Sequence, residues 1–85
     1  MFWITKSKQK EDGGFQSGVI GTTKNKSKAN HMVSQAAAQN GLIVDGKGTA
    51  TDGTHFQTGT NPETGLDEMI WAVSEEELQK LGLTK

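Results

Sequence analysis

Five apolar positions constrain this chain more than any other feature. Ala29, Met32, Val33, Ala36 and Ala37 fall at i, i+3, i+4, i+7 and i+8, one stripe of an amphipathic helix. Ala36, Ala37 and Ala38 in succession add intrinsic helicity. Asn40-Gly41 then supplies a left-handed stop, with Gly in the position past the cap. The stripe is built mostly of small side chains, so the helix should lie close against whatever covers it. A lone helix with one apolar face is best buried on a sheet, and the rest of the sequence has to provide that sheet.

It does so in short pieces. Residues 2–10 alternate bulky and polar side chains and read as a strand. Glu11-Asp12-Gly13-Gly14 is a turn, and residues 15–22 return as a second strand, in which Gly18 and Gly21 mark a bulge or a close approach to another backbone. The helix is expected to start near Ser27. Beyond it, Leu42-Ile43-Val44 reads as a short buried strand ended by an Asp45-Gly46 turn. Asp52-Gly53, set between the β-formers of 47–51 and 54–60, is a hairpin signal because both central residues must tolerate positive φ. Asn61-Pro62-Glu63-Thr64-Gly65 turns the chain into residues 66–73, whose Met69, Ile70, Trp71 and Val73 suit a central strand covered on both faces. Ser74-Glu75-Glu76-Glu77 fits a capping box, with Val73 and Leu78 as the hydrophobic staple. Gly82 ends that helix and lets Leu83 fold back onto Leu78. The three acids complement the helix dipole and are structural. The expected fold is α+β: one small domain over residues 1–85, with a mostly antiparallel sheet of four to five strands, the Ala-rich helix packed on one face, and a short C-terminal helix.

Such a domain has a slight core. Leu, Ile, Val and Phe make up sixteen of the 85 residues, near the ~20% below which chains tend to be disordered when net charge is also high. Here the net charge is −1, so the chain reads as folded but thin-cored. No apolar run approaches the ~18 residues of a membrane-spanning helix, so no membrane association is expected. Cys is absent, which excludes a disulfide framework, a thiolate metal site and a thiol nucleophile. The start Met-Phe-Trp-Ile-Thr has no basic segment ahead of a long apolar stretch, so the expected location is cytoplasmic.

The near-zero charge hides a polarised chain. Residues 1–30 carry Lys6, Lys8, Lys10, Lys24, Lys26 and Lys28 against Glu11 and Asp12, whereas residues 31–85 carry three Lys against eight acids. All nine cations are Lys, and without Arg the chain can attract a polyanion but has weak means of reading one. Lys6, Lys8 and Lys10 alternate, so they project from one face of the first strand. There they guard an exposed edge, the preferred reading, or ride a phosphate backbone. Lys24, Lys26 and Lys28 crowd the start of the helix, where cations are unfavourable. They are solvated there, or together with the helix N–H groups they hold an anion such as a phosphate, a nucleic-acid backbone or an acidic surface.

The aromatic residues raise a question of parity. Phe2 and Trp3 must point to opposite faces of a strand, as must Ile70 and Trp71. One of each pair therefore lies outside the helix-covered core, and Trp3 becomes a candidate binding residue on an apolar patch. Chemical signatures are weaker. His31 and His55, with Asp45, Asp52 or Asp67, lack metal-site spacing, and the Asp-Gly pairs lack the further ligands of a calcium loop. Residues 18–24 lie where a phosphate loop would, without its Gly-Lys-Ser/Thr. No nucleophile elbow or carboxylate pair occurs. The sequence thus leads to no catalytic, cofactor or metal residues and to no enzyme. It leads to a small binding protein acting by surface complementarity on a protein or protein–nucleic acid complex, a layout shared with small phage and mobile-element inhibitors of host machinery and equally with small binding modules of other origin. The alternatives are a nucleic-acid-binding module using the Lys-rich hairpin and helix end, and a homo-oligomeric structural protein whose basic and acidic ends meet between copies.

Overall fold

A computed structural model describes residues 1–50 and 53–80. It has five strands and two helices in the order β1 (Phe2–Gln9), β2 (Phe15–Thr23), α1 (Lys26–Gln39), β3 (Ile43–Thr49), β4 (His55–Thr60), β5 (Asp67–Ser74) and α2 (Glu75–Lys80). The strands form one sheet in the order β2-β1-β5-β4-β3, every neighbouring pair antiparallel. This is the α+β fold expected, with five strands. The first hairpin closes through Glu11 and Asp12 with Gly13 at φ 90; Gly13 N–H donates to Lys10 C=O and Lys10 N–H to Gly14 C=O.

Because β2 and β3 are the two outer strands, α1 crosses the sheet from one edge to the other. Its buried Ala29, Val33, Ala36 and Ala37 meet Ile4, Leu42, Ile70 and Ala72, with Phe2 and Met32 at the margin. The small stripe brings the helix close: a Cβ on Gly21 would lie 2.7 Å from the Met32 methyl. Gly21 also sits at the register shift opposite Ile4 and Thr5, so this part of the strand holds both the bulge and the close approach read from the sequence.

The ends of α1 are determined locally. Asn25 is the N-cap, its Oδ1 accepting from Lys28 N–H at 3.0 Å, so the helix begins at Lys26, one residue earlier than Ser27. At the other end Gly41 has φ 65, Gly41 N–H reaches Ala38 C=O and Leu42 N–H reaches Ala37 C=O. That is the paired closure of a Schellman end, and it delivers Leu42 into the core. For α2, Ser74 Oγ accepts from Glu77 N–H at 3.3 Å, as the capping box requires. The Leu78 contacts, the Gly82 stop and the Asp52 half of the hairpin turn lie outside the described residues.

Three expectations are overturned. Asp45-Gly46 is not a turn: β3 runs through it, and the register shifts between Val44 and Gly46, so the extra residue makes a bulge, and Gly46 is not among the positive-φ glycines. Leu42-Ile43-Val44 is not a buried strand. Only Leu42 is buried, while Ile43 and Val44 are 62% and 42% exposed, because β3 is an edge strand. Finally, β5 is central, but α1 covers one of its faces and Trp71 on the other is only half-buried.

Candidate functional site: the uncovered sheet face

Strand alternation sorts the side chains into two layers. Phe2, Ile4, Lys6, Ile70 and Ala72 face α1. Trp3, Thr5, Ser7, Met69, Trp71 and Val73 face the other way, and the pairing extends that second layer through Phe56 and Thr58 of β4 and through Phe15, Ser17 and Val19 of β2. Parity therefore places Trp3 on the face that α1 leaves uncovered, and Trp71 with it, where Thr5, Ser7 and Val73 beside them are nonetheless buried. These are the only two Trp residues of the chain.

The face is shaped around Met69. On one side an open groove of about 470 Å³ is lined by Ser7, Phe15, Asp45, Thr58, Asp67 and Met69. On the other, a hollow of about 270 Å³ lies between Met69, Phe56 and Trp71. Glycines of the edge strand make room for this surface. Gly48 pairs with Phe56, whose ring occupies the space a Cβ would take, at 2.6 Å. Gly46 similarly leaves room for Thr58. The rim is acidic: Asp45 Oδ1 accepts from Thr58 Oγ1 at 3.1 Å, and Asp67 Oδ1 from Thr60 Oγ1 at 3.3 Å. Trp3 Nε1 and Thr5 Oγ1 are buried without a hydrogen-bond partner among the described residues, an arrangement that costs about 1–3 kcal/mol per group.

The lysines lie elsewhere. β1 pairs on both sides, so Lys6, Lys8 and Lys10 do not guard an edge, because strand order is set by pairings remote in sequence. Lys6 is engaged internally: its Nζ lies 3.2 Å from Glu68 Oε1, in ion-pair range though outside hydrogen-bond geometry. It also donates to Asn40 Oδ1 at 2.9 Å, and Asn61 Nδ2 donates to Glu68 Oε2 at 2.7 Å. Glu68 is 5% exposed, and no sequence signal singles it out. Lys8 and Lys10 stay exposed near this end of the molecule. Lys24, Lys26 and Lys28 are exposed around the opposite end of α1, with no acid in its first turn. The 14-residue helix spans about 21 Å, so the two Lys groups sit at its two ends and do not form one track.

Remaining candidates stay apart. His31 is exposed on α1 and His55 begins β4. Among the described residues no three His, Asp or Glu side chains gather as a cation site, and no helix is long and apolar enough to cross a membrane. Comparison with models of known families, with curated proteins and with solved structures gives no match.

Proposed function

We propose that the chain works by surface recognition, and that its recognition surface is the sheet face opposite α1. The observation that carries the reading is the placement of Trp3, Phe56, Met69 and Trp71, all half-buried, on a face that α1 leaves open. Partly exposed Trp, Phe and Met beside hollows have the composition of interface anchors. Asp45 and Asp67 on the rim repel phosphates and suit cations, so the partner is a protein whose apolar side chains are flanked by Lys or Arg. The alternative, contact with a nucleic-acid backbone, draws on Lys24, Lys26 and Lys28 and uses the other side of the molecule.

The two readings separate in one experiment. Affinity capture is run with the natural chain, with Met69→Lys, and with Lys24, Lys26 and Lys28 all changed to Glu, each verified as folded by circular dichroism. A purified captured protein is then titrated against all three. Loss of binding with Met69→Lys alone supports the uncovered face. Loss with the Lys variant alone, or steep salt-dependent binding to a DNA or RNA oligonucleotide, overturns it.

A further inference from the structure

The two outer strands of the sheet are treated differently by the sequence. β3 carries Asp45 and Lys47 and is bent by a bulge, the usual protections of a free edge. β2 reads Phe-Gln-Ser-Gly-Val-Ile-Gly-Thr-Thr, with no charge and no Pro. Its stretch from Phe15 to Val19 pairs with β1 in unbroken register, and the irregularity comes only after it. Phe15 is 67% and Val19 50% exposed.

Hairpin geometry sets which backbone groups are free. The Lys10–Gly14 bond closes the ladder, and hydrogen-bonded pairs alternate along an antiparallel pair. Phe15, Ser17 and Val19 therefore turn their N–H and C=O groups away from β1. The close approach of the Ser7 and Ser17 hydroxyls agrees with that phase, since side chains are nearer in non-hydrogen-bonded pairs.

We infer that β2 pairs antiparallel with β2 of a second copy about a two-fold axis at Ser17, joining two sheets into one of ten strands. The segment is self-complementary about that point. Ser17 meets its own counterpart, and Phe15 of each copy lies opposite Val19 of the other on the uncovered face, an aromatic–β-branched pair of the kind that stabilises sheets. The small Gly18 lies opposite Gln16 on the other face. All six free backbone groups find partners. Antiparallel pairing also lays the turn bearing Glu11 and Asp12, which outnumber Lys10 there, toward residues 24–28 of the other copy with their three Lys, whereas parallel pairing would lay like ends together. An isologous contact of this type closes at two copies. It is smaller than a standard interface, so the dimer is weak and concentration-dependent. This inference is independent of the partner proposed for the uncovered face.

The test uses sedimentation equilibrium from micromolar to millimolar protein. The natural chain should approach twice its 9.1 kDa mass as concentration rises. Ser17→Lys and Ser17→Glu each place like charges face to face at the axis, and each alone should remain monomeric while keeping its circular dichroism spectrum. Mixed one to one, the two variants should recover the dimer at least as strongly as the natural chain. A natural chain that stays monomeric throughout overturns the inference. So does a dimer that survives both substitutions, and so does a mixture that fails to reassociate.

Discussion

Replacing Lys6 by Met should destabilise the protein far more than loss of a surface lysine. Glu68 is 5% exposed, and once Lys6 is gone its carboxylate keeps the Asn61 amide but loses its ion pair, while Lys8 opposite it in the ladder stays exposed to solvent. Removing one partner of a fully buried pair costs about 3–5 kcal/mol, because the other charge is left in a poor environment. The Lys6 side chain is 22% exposed, so water partly reaches the pair, and the expected loss falls to about 2–3 kcal/mol. Loss of the bond to Asn40 at the end of α1 is part of the same figure. Urea titration followed by Trp emission measures it directly: with a slope of about 1 kcal/mol per molar, the midpoint should fall by about 2–3 M. The double variant Lys6→Met, Glu68→Leu should recover most of this, since two apolar residues leave no orphaned charge. A single variant within about 0.5 kcal/mol of the natural chain, the range of ordinary surface changes, would refute the reasoning. A double variant no more stable than the single one would refute it too.

Three other substitutions test separate parts of the fold. Gly59→Ala should destabilise by about 1–3 kcal/mol or more in a thermal melt, because its Cβ would collide with the Ile43 carbonyl oxygen and β3 would have to separate from β4. Asn25→Ala removes the bond to Lys28 N–H and should cost about 1 kcal/mol in urea titration. Lys28→Glu should act in the opposite sense, raising stability by about 0.3–1 kcal/mol, since a carboxylate in the first turn complements the dipole that Lys28 opposes. A fall in stability would show that the lysine makes a contact of structural value.

What could be read in the sequence was what is decided locally. The α1 stripe, the Asn40-Gly41 stop and the Ser74 cap each depend on residues within a few positions of one another, and each is found in the structure. Parity alone placed Phe2 and Trp3 on opposite faces. What could not be read was decided by pairing across the chain. Nothing near Lys6 says that β1 is an inner strand, or that Glu68 waits for its ammonium 62 positions away. Asp45-Gly46 has turn chemistry, yet a bulge also uses small and polar residues, and only the partner strand β4 decides between them. Asn25 does carry a signal, a side-chain acceptor directly ahead of the helix, but Ser27 two positions on is an equally good capping residue type, and only the backbone decides between them. The site was half legible: Trp3 and the parity of Trp71 pointed to the second face, whereas the hollows around Met69 and the uncharged edge of β2 required the register.

Because both Trp residues lie on the proposed recognition face, tryptophan emission tests the central claim most directly. A captured partner is titrated into the natural chain, and emission and acrylamide quenching are followed to saturation. The account predicts a shift of emission to shorter wavelength and marked protection from quenching, both absent with Met69→Lys. Saturable binding that leaves emission and quenching unchanged, and that disappears when Lys24, Lys26 and Lys28 become Glu, would contradict it.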